Sequence, residues 1–173
     1  MKNILIIDTG GTFNKVTHPK TNKTTIVDNS SIALKKIALH WRCNLTSLNI
    51  IGKDSLDMTN LDRLELLMTI NNSEHTHIIV IHGTDTIDLT AQYLAEAETE
   101  KCIVLTGAMV PFSNDLIEAT ANFASAYGYI NALPLNHDAI YIAMNGLIKE
   151  YDEIVKDHAK GRFVTRDLTP LEE

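Results

Sequence analysis

Ile4-Leu5-Ile6-Ile7-Asp8-Thr9-Gly10-Gly11-Thr12 opens the chain with an apolar run that ends in a glycine pair. Four consecutive aliphatic residues without polar alternation describe a strand buried on both faces, the kind found in parallel sheets covered by helices. The arrangement returns at Ile78-Ile79-Val80-Ile81, which runs into His82-Gly83-Thr84-Asp85-Thr86. In an open parallel sheet, ligands bind beyond the carboxyl ends of such strands. Glycines there let the backbone turn sharply and bring N–H groups close to a substrate. The hydroxyls of Thr12, Thr84 and Thr86 and the carboxylates of Asp8 and Asp85 are expected to converge at this edge. Such a set suits a hydroxyl nucleophile and a proton relay, with no metal and no bound nucleotide.

Outward from these runs, strands and helices alternate. Strands are expected over 3–7, 44–51, 76–81, 103–106 and 139–144. Helices are expected over 31–41, with Ser30 or Ser31 as N-cap, and over 61–70, 87–98 and 116–130. Thr59 and Asp62 are spaced as a capping box for the second of these helices. Residues 9–30 form a long polar segment rich in Thr, Lys and Asn. A loop of that length without secondary structure is uncommon and often functional, as a lid for example. Beyond Asn145 the tail is more polar and reads as a short hairpin, with Ile148, Ile154 and Val155 as its apolar points. The pattern predicts one α/β domain over 1–173, a doubly wound, mainly parallel sheet of flavodoxin-like or Rossmann-like type with helices on both faces.

Composition narrows the function classes. The 173 residues are 45% hydrophobic and carry a net charge of −7, with no Lys/Arg run, which argues against nucleic-acid binding. No stretch of 18 apolar residues occurs, so no membrane span is expected, and the short apolar start does not read as a signal peptide. Cys43 and Cys102 lie far apart without CxxC spacing, which fits free thiols in a reducing cytoplasm.

Each constellation has a structural reading beside its chemical one. Thr9-Gly10-Gly11-Thr12 lacks both GxGxxG and GxxxxGK[ST], leaving a tight turn or a close backbone approach to a substrate. Thr84 or Asp85 can cap the helix near Ile87, or hold a water or a substrate amine. His75, His77 and His82 alternate along a strand and lack a completing carboxylate or cysteine at ligand spacing, so no metal site is expected. Gly107-Ala108-Met109-Val110-Pro111 is a loop after the fourth strand. Lys156 is either a solvated surface lysine or, drawn into a pocket beside a hydroxyl, a base.

ILIIDTGGTF, DSLDMT, IVIHGTDTIDLTAQYL and VLTGAMVPFSNDLIEATANFASAY, in this order, resemble the bacterial-type L-asparaginase family, whose nucleophile is a threonine. The resemblance runs from Asn3 to about Thr165. It implies hydrolysis of asparagine to aspartate and ammonia through an acyl-enzyme intermediate, with no cofactor. It implies Thr12 as nucleophile and Thr84, Asp85 and Lys156 as second threonine and proton relay. Ser55 and Asp85 would hold the substrate's α-carboxylate and α-amine, and backbone N–H groups around Gly11 and Thr84 the oxyanion. These roles suit amide hydrolysis, which needs a nucleophile, a group that protonates ammonia and oxyanion donors.

The chain also departs from the family. Residues 13–32 contain no tyrosine where the family carries one, with Thr24 or Thr25 near its place, and Leu56 replaces a glutamine that contacts the substrate amine. The usual C-terminal domain is expected to be absent, since the chain ends at Glu173. Weak amine anchoring follows, with asparagine preferred and glutamine a poorer substrate. A homo-oligomer is expected to complete the site, with Phe123, Tyr127, Tyr129 and Ile130 as candidate contact residues or as core. The competing reading is a catalytically silent module that senses a small amino acid; ammonia release from asparagine separates the two.

Overall fold

The computed structural model describes residues 2–26 and 32–166. In chain order the elements are strand β1 (Ile4–Gly10), a 3-10 turn (Thr12–Asn14), β2 (Lys15–Thr17), β3 (Thr24–Ile26), helix α1 (Ile32–Trp41) and β4 (Thr46–Lys53). A second 3-10 turn (Ser55–Asp57), α2 (Asn60–Asn72), β5 (His77–Ile81), α3 (Ile87–Glu96), β6 (Cys102–Thr106) and α4 (Leu116–Ala132) follow. The chain continues with β7 (Ile140–Met144), β8 (Leu147–Glu150), β9 (Ile154–Asp157) and β10 (Arg162–Thr165).

The main sheet runs β4-β1-β5-β6-β7-β8. The first five strands are mutually parallel and β8 returns antiparallel to β7. Alternate strand residues face opposite layers, as the period of two requires. Ile4, Ile6, Ile79, Ile81 and Val104 pack with Leu34 and Ile37 of α1 and Ala119, Phe123 and Ala126 of α4. Leu5, Ile7, Ile78, Val80 and Ile103 pack with Leu66 and Ile70 of α2 and Ile87, Ala91 and Leu94 of α3. The sheet is doubly wound, α/β and mainly parallel, as the apolar strand runs predict. Its winding reverses at β1, so a crevice opens beyond the carboxyl ends of β1 and β5, where ligands bind in this class of sheet.

The Thr59 capping box forms: Thr59 Oγ1 accepts from Asp62 N at 3.3 Å, and Asp62 Oδ2 accepts from Thr59 N at 2.7 Å. Lys53 adds an ion pair at 2.7 Å, and that hydrogen bond is the main reason the Asp62 carboxyl is held down at about 2. The Ser30 or Ser31 cap lies outside the described residues.

Two expectations are corrected and one alternative is decided. Part of the polar segment after Thr9 is ordered rather than structureless: β2 and β3 pair antiparallel, and His18 N donates to Lys23 O at 2.9 Å to close their turn. The hairpin docks on the turn before α4, where Ser113 Oγ donates to Lys15 O at 3.1 Å. The tail forms two hairpins rather than one, because Asn145 (φ 51) and Gly146 (φ 78) give β7–β8 a two-residue turn, while β9–β10 makes a second, separate ribbon. Positive φ at both central positions is the type I′ geometry that Asn-Gly favours. Finally, Phe123 and Ile130 are fully buried core, and Tyr127 and Tyr129 pack partly buried against that core. Of the two readings given for these four residues, core is the one the packing supports.

Candidate active site

The two glycine motifs touch. Gly11 sits at φ +74, and a Cβ there would lie 2.5 Å from the Gly83 Cα and N. Only a glycine admits that approach, and it sets the residue before Thr12 against the residue before Thr84. Ser55 closes the group: it is buried, and a Cβ on Gly83 would meet its Oγ at 2.7 Å. The ends of β1 and β5 and the turn after β4 therefore meet in one place.

The loop bearing Thr12 is tied at both ends. Asp8, buried at the end of β1, accepts from Asn14 Nδ2 at 2.6 and 2.7 Å and from Gly10 N at 3.0 Å. Gly11 N donates to Lys53 O at 2.9 Å, and Phe13 is fully buried. Thr12 between them remains half-buried. Asp8 thus holds the loop, and Thr86, whose hydroxyl donates to Ser55 O at 2.9 Å, holds the Ser55 turn. Both are engaged in holding the loop and the turn, while Thr84 and Asp85 meet at Lys156.

Lys156 reaches this place from β9. Its Nζ donates to Thr84 Oγ1 at 2.9 Å and to Asp85 Oδ1 at 2.5 Å. The side chain is only 13% exposed, which sets aside the solvated surface reading. The capping reading of Thr84 and Asp85 also falls away: the N-cap of α3 is Thr86, and no side chain caps it. Asp85 N donates to Ser55 Oγ at 3.2 Å, linking the relay to the Ser55 turn. The structure therefore gathers Gly11, Ser55, Thr84, Asp85 and Lys156, with Thr12 on the adjoining backbone. Leu56 is 71% exposed beside them.

Beneath the site runs a buried polar chain that the sequence does not announce. His82 Nδ1 lies 2.7 Å from Gly83 O, so it carries the proton and donates. Its Nε2 then accepts from Thr90 Oγ1 at 2.9 Å, and that hydroxyl accepts from Arg63 Nε at 3.1 Å. Burial, with Arg63 nearby, pushes the His82 pKa down to about 4. Unfolded His82 binds a proton below about pH 6.5 that the folded form refuses until about pH 4. Stability should therefore fall with pH across that window, by roughly 3 kcal/mol for this group. Burial lowers the His77 pKa too, so His77 contributes with the same sign. The stability that Asp62 supplies is full above the ordinary aspartate range and is lost only as pH falls from there toward about 2. Thermal melts between about pH 7 and 4.5 check this, and His82→Gln should flatten the dependence. An unchanged slope in that variant would assign the effect elsewhere.

Among the described residues, no group of three His, Cys, Asp or Glu side chains is placed to hold a metal ion. Among the same residues, no helix is long and apolar enough to cross a membrane. Both cysteines are free.

The model of the family described as "Asparaginase, N-terminal" matches residues 3–171. The chain belongs to the asparaginase family. It is 26% identical over 165 residues to a glutaminase-asparaginase of Acinetobacter glutaminasificans, covering 89% of this chain and 49% of that protein. It is 25% identical over 178 residues to L-asparaginase 2 of Bacillus subtilis, covering 98% of this chain and 45% of that one. Among solved asparaginases, the thermostable L-asparaginase of Thermococcus kodakarensis superposes with a TM-score of 0.80 at 23% identity. That match covers 95% of this chain and 51% of the other. L-asparaginase I of Vibrio cholerae gives 0.78 at 23% identity, over 99% and 53%. The chain thus spans about half the length of the asparaginases it matches.

Proposed function

We propose that the chain hydrolyses the side-chain amide of L-asparagine to aspartate and ammonia, through a threonine nucleophile and an acyl-enzyme intermediate. The observation that carries the reading is the mostly buried Lys156 side chain, its ammonium bonded to both Thr84 and Asp85 beside the place where Gly11 meets Gly83. In this reading Thr12 Oγ adds to the amide carbon and its proton passes to the departing nitrogen. Thr84 passes protons between the substrate side and Lys156, to which it is bonded. Its Oγ1 accepts from Lys156, so its own hydrogen is free to point to the substrate side. Water then cleaves the ester and returns the proton to Thr12. Gly11 N is already bonded to Lys53 O, so the oxyanion donors of this reading are the N–H groups of Thr12 and Thr84. Ser55 and Asp85 hold the α-carboxylate and α-amine. Ammonia release over a panel of amides, with Thr12→Ala as control, tests the proposal. Binding of asparagine without release would leave the sensing reading, which Leu56 and the absent tyrosine favour.

The reading includes assembly in the cytoplasm as a homo-oligomer, with a neighbour helping to close the site. Leu61, Leu64 and Met68 lie exposed along α2 at spacings of three and four. Such a stripe faces one side of a helix, and apolar patches of this kind mark interfaces. Light scattering at micromolar concentration should give a particle larger than 19.2 kDa; a 19.2 kDa particle of full activity would refute the assembly.

A further inference from the structure

We infer that Asn145 is a positioning residue for Lys156, an inference that rests on reading Lys156 as the proton carrier. The hairpin bearing Lys156 is not part of the six-stranded sheet, so no sheet ladder fixes where it stands. In that hairpin Lys156 is paired opposite Phe163. Phe163 N donates to Asn145 Oδ1 at 3.0 Å. The side chain at the β7–β8 turn thus grips the hairpin at the residue across from the lysine.

Asn145 is itself held. Its backbone N–H donates to Asn122 Oδ1 at 3.0 Å, and Asn122 Nδ2 donates to Gly107 O at 3.0 Å. Asn122 is 3% exposed, on the inner face of α4. One line of hydrogen bonds therefore runs from the end of β6 through Asn122 and Asn145 to the hairpin, and from Lys156 to Thr84 and Asp85. Apolar packing of Ile154 and Phe163 in the core holds the hairpin down but is not directional. The amide supplies the direction. A shift of about 1 Å at Lys156 would break the contacts to Thr84 and Asp85, and misplacements of that size are costly in catalysis.

Position 145 demands three things together: a positive φ, a backbone donor and a side-chain acceptor of this reach. Glycine meets the first two, and aspartate meets all three. Asn145 is exposed at a turn, so neither change disturbs the core. Asn145→Gly should lower kcat about tenfold or more, with KM changed less than about twofold and the melting temperature little altered. Asn145→Asp should recover kcat to within a few-fold of wild type. The same variants are to be followed through the NMR signals of the Lys156 side chain. These should move in Asn145→Gly and return in Asn145→Asp, whether or not the wild type hydrolyses an amide. Failure of the wild type to release ammonia would overturn the hydrolase reading alone. An unmoved Lys156 signal in Asn145→Gly, or a loss that tracks KM and melting temperature and is not restored by aspartate, would overturn the positioning role.

Discussion

Thr12→Ala is expected to abolish ammonia release from asparagine while leaving the fold intact. The half-buried Thr12 sits in a loop that other groups hold: Asp8 with Asn14, Gly11 N on Lys53 O, and Phe13 in the core. Removing its hydroxyl takes away no core volume, so the stability change should stay within about 0.5 kcal/mol, as for surface substitutions. The chemical loss is different in kind. Without a nucleophile no acyl intermediate forms, and the remaining oxyanion donors and binding groups have nothing to stabilise. Circular dichroism and thermal melts establish the fold; a coupled ammonia assay reads the rate. Turnover near wild type in Thr12→Ala would transfer the attack to another hydroxyl. Thr84 is the runner-up, since both threonines follow a glycine beyond a strand end and those glycines touch, and Thr84→Ala would then be the variant that loses all activity.

What the sequence discloses follows from how local each signal is. The strands β1, β5, β6 and β7 are legible because each is built on an apolar run without polar alternation, and burial on both faces leaves little alternative. The Thr59–Asp62 box is legible because its two bonds span three residues. The hairpin β2–β3 is hidden because its strands are three residues each and mostly polar. Strand β8 is hidden because an edge strand needs one buried face only. Within the site, the motifs point to Thr12, Thr84 and Asp85, and family resemblance to Lys156 and Ser55. The burial of Lys156 was undecidable from its neighbours Val155 and Asp157, because it depends on where the hairpin lands. The partners of Asn122, Asn145 and Arg63 are not legible in the sequence. Their bonds join residues 15 to 27 positions apart, and no periodicity records such a pairing. Asn145 does carry one local signal: Asn-Gly after an apolar strand marks a type I′ turn and so fixes where the side chain stands.

Lys156→Met should cost on the order of 10²–10⁴ in turnover, the scale of a positioned acid–base group. Methionine keeps most of the unbranched stem and removes the ammonium. In the structure that ammonium is the donor to Thr84 Oγ1 at 2.9 Å and the partner of Asp85 at 2.5 Å. Its loss leaves Asp85, with a side chain 34% exposed, without its cation and Thr84 without its donor. The proton that must reach the departing nitrogen then has no path through Thr84. The nucleophile and the oxyanion donors remain, so some turnover should survive, unlike in Thr12→Ala. A purely structural ion pair would behave otherwise: its loss would lower the melting temperature and raise KM, with kcat little changed. Lys156→Arg separates the cases further. It retains a cation near Asp85 but not the small ammonium geometry, and a guanidinium does not give up its proton in proteins. If Lys156 only pairs with Asp85, arginine should serve, restoring KM and the melting temperature with kcat near wild type throughout. If Lys156 moves protons through Thr84, Lys156→Arg should stay close to Lys156→Met in kcat while regaining its melting temperature. A rate unchanged in either variant across neutral pH would remove Lys156 from the reaction.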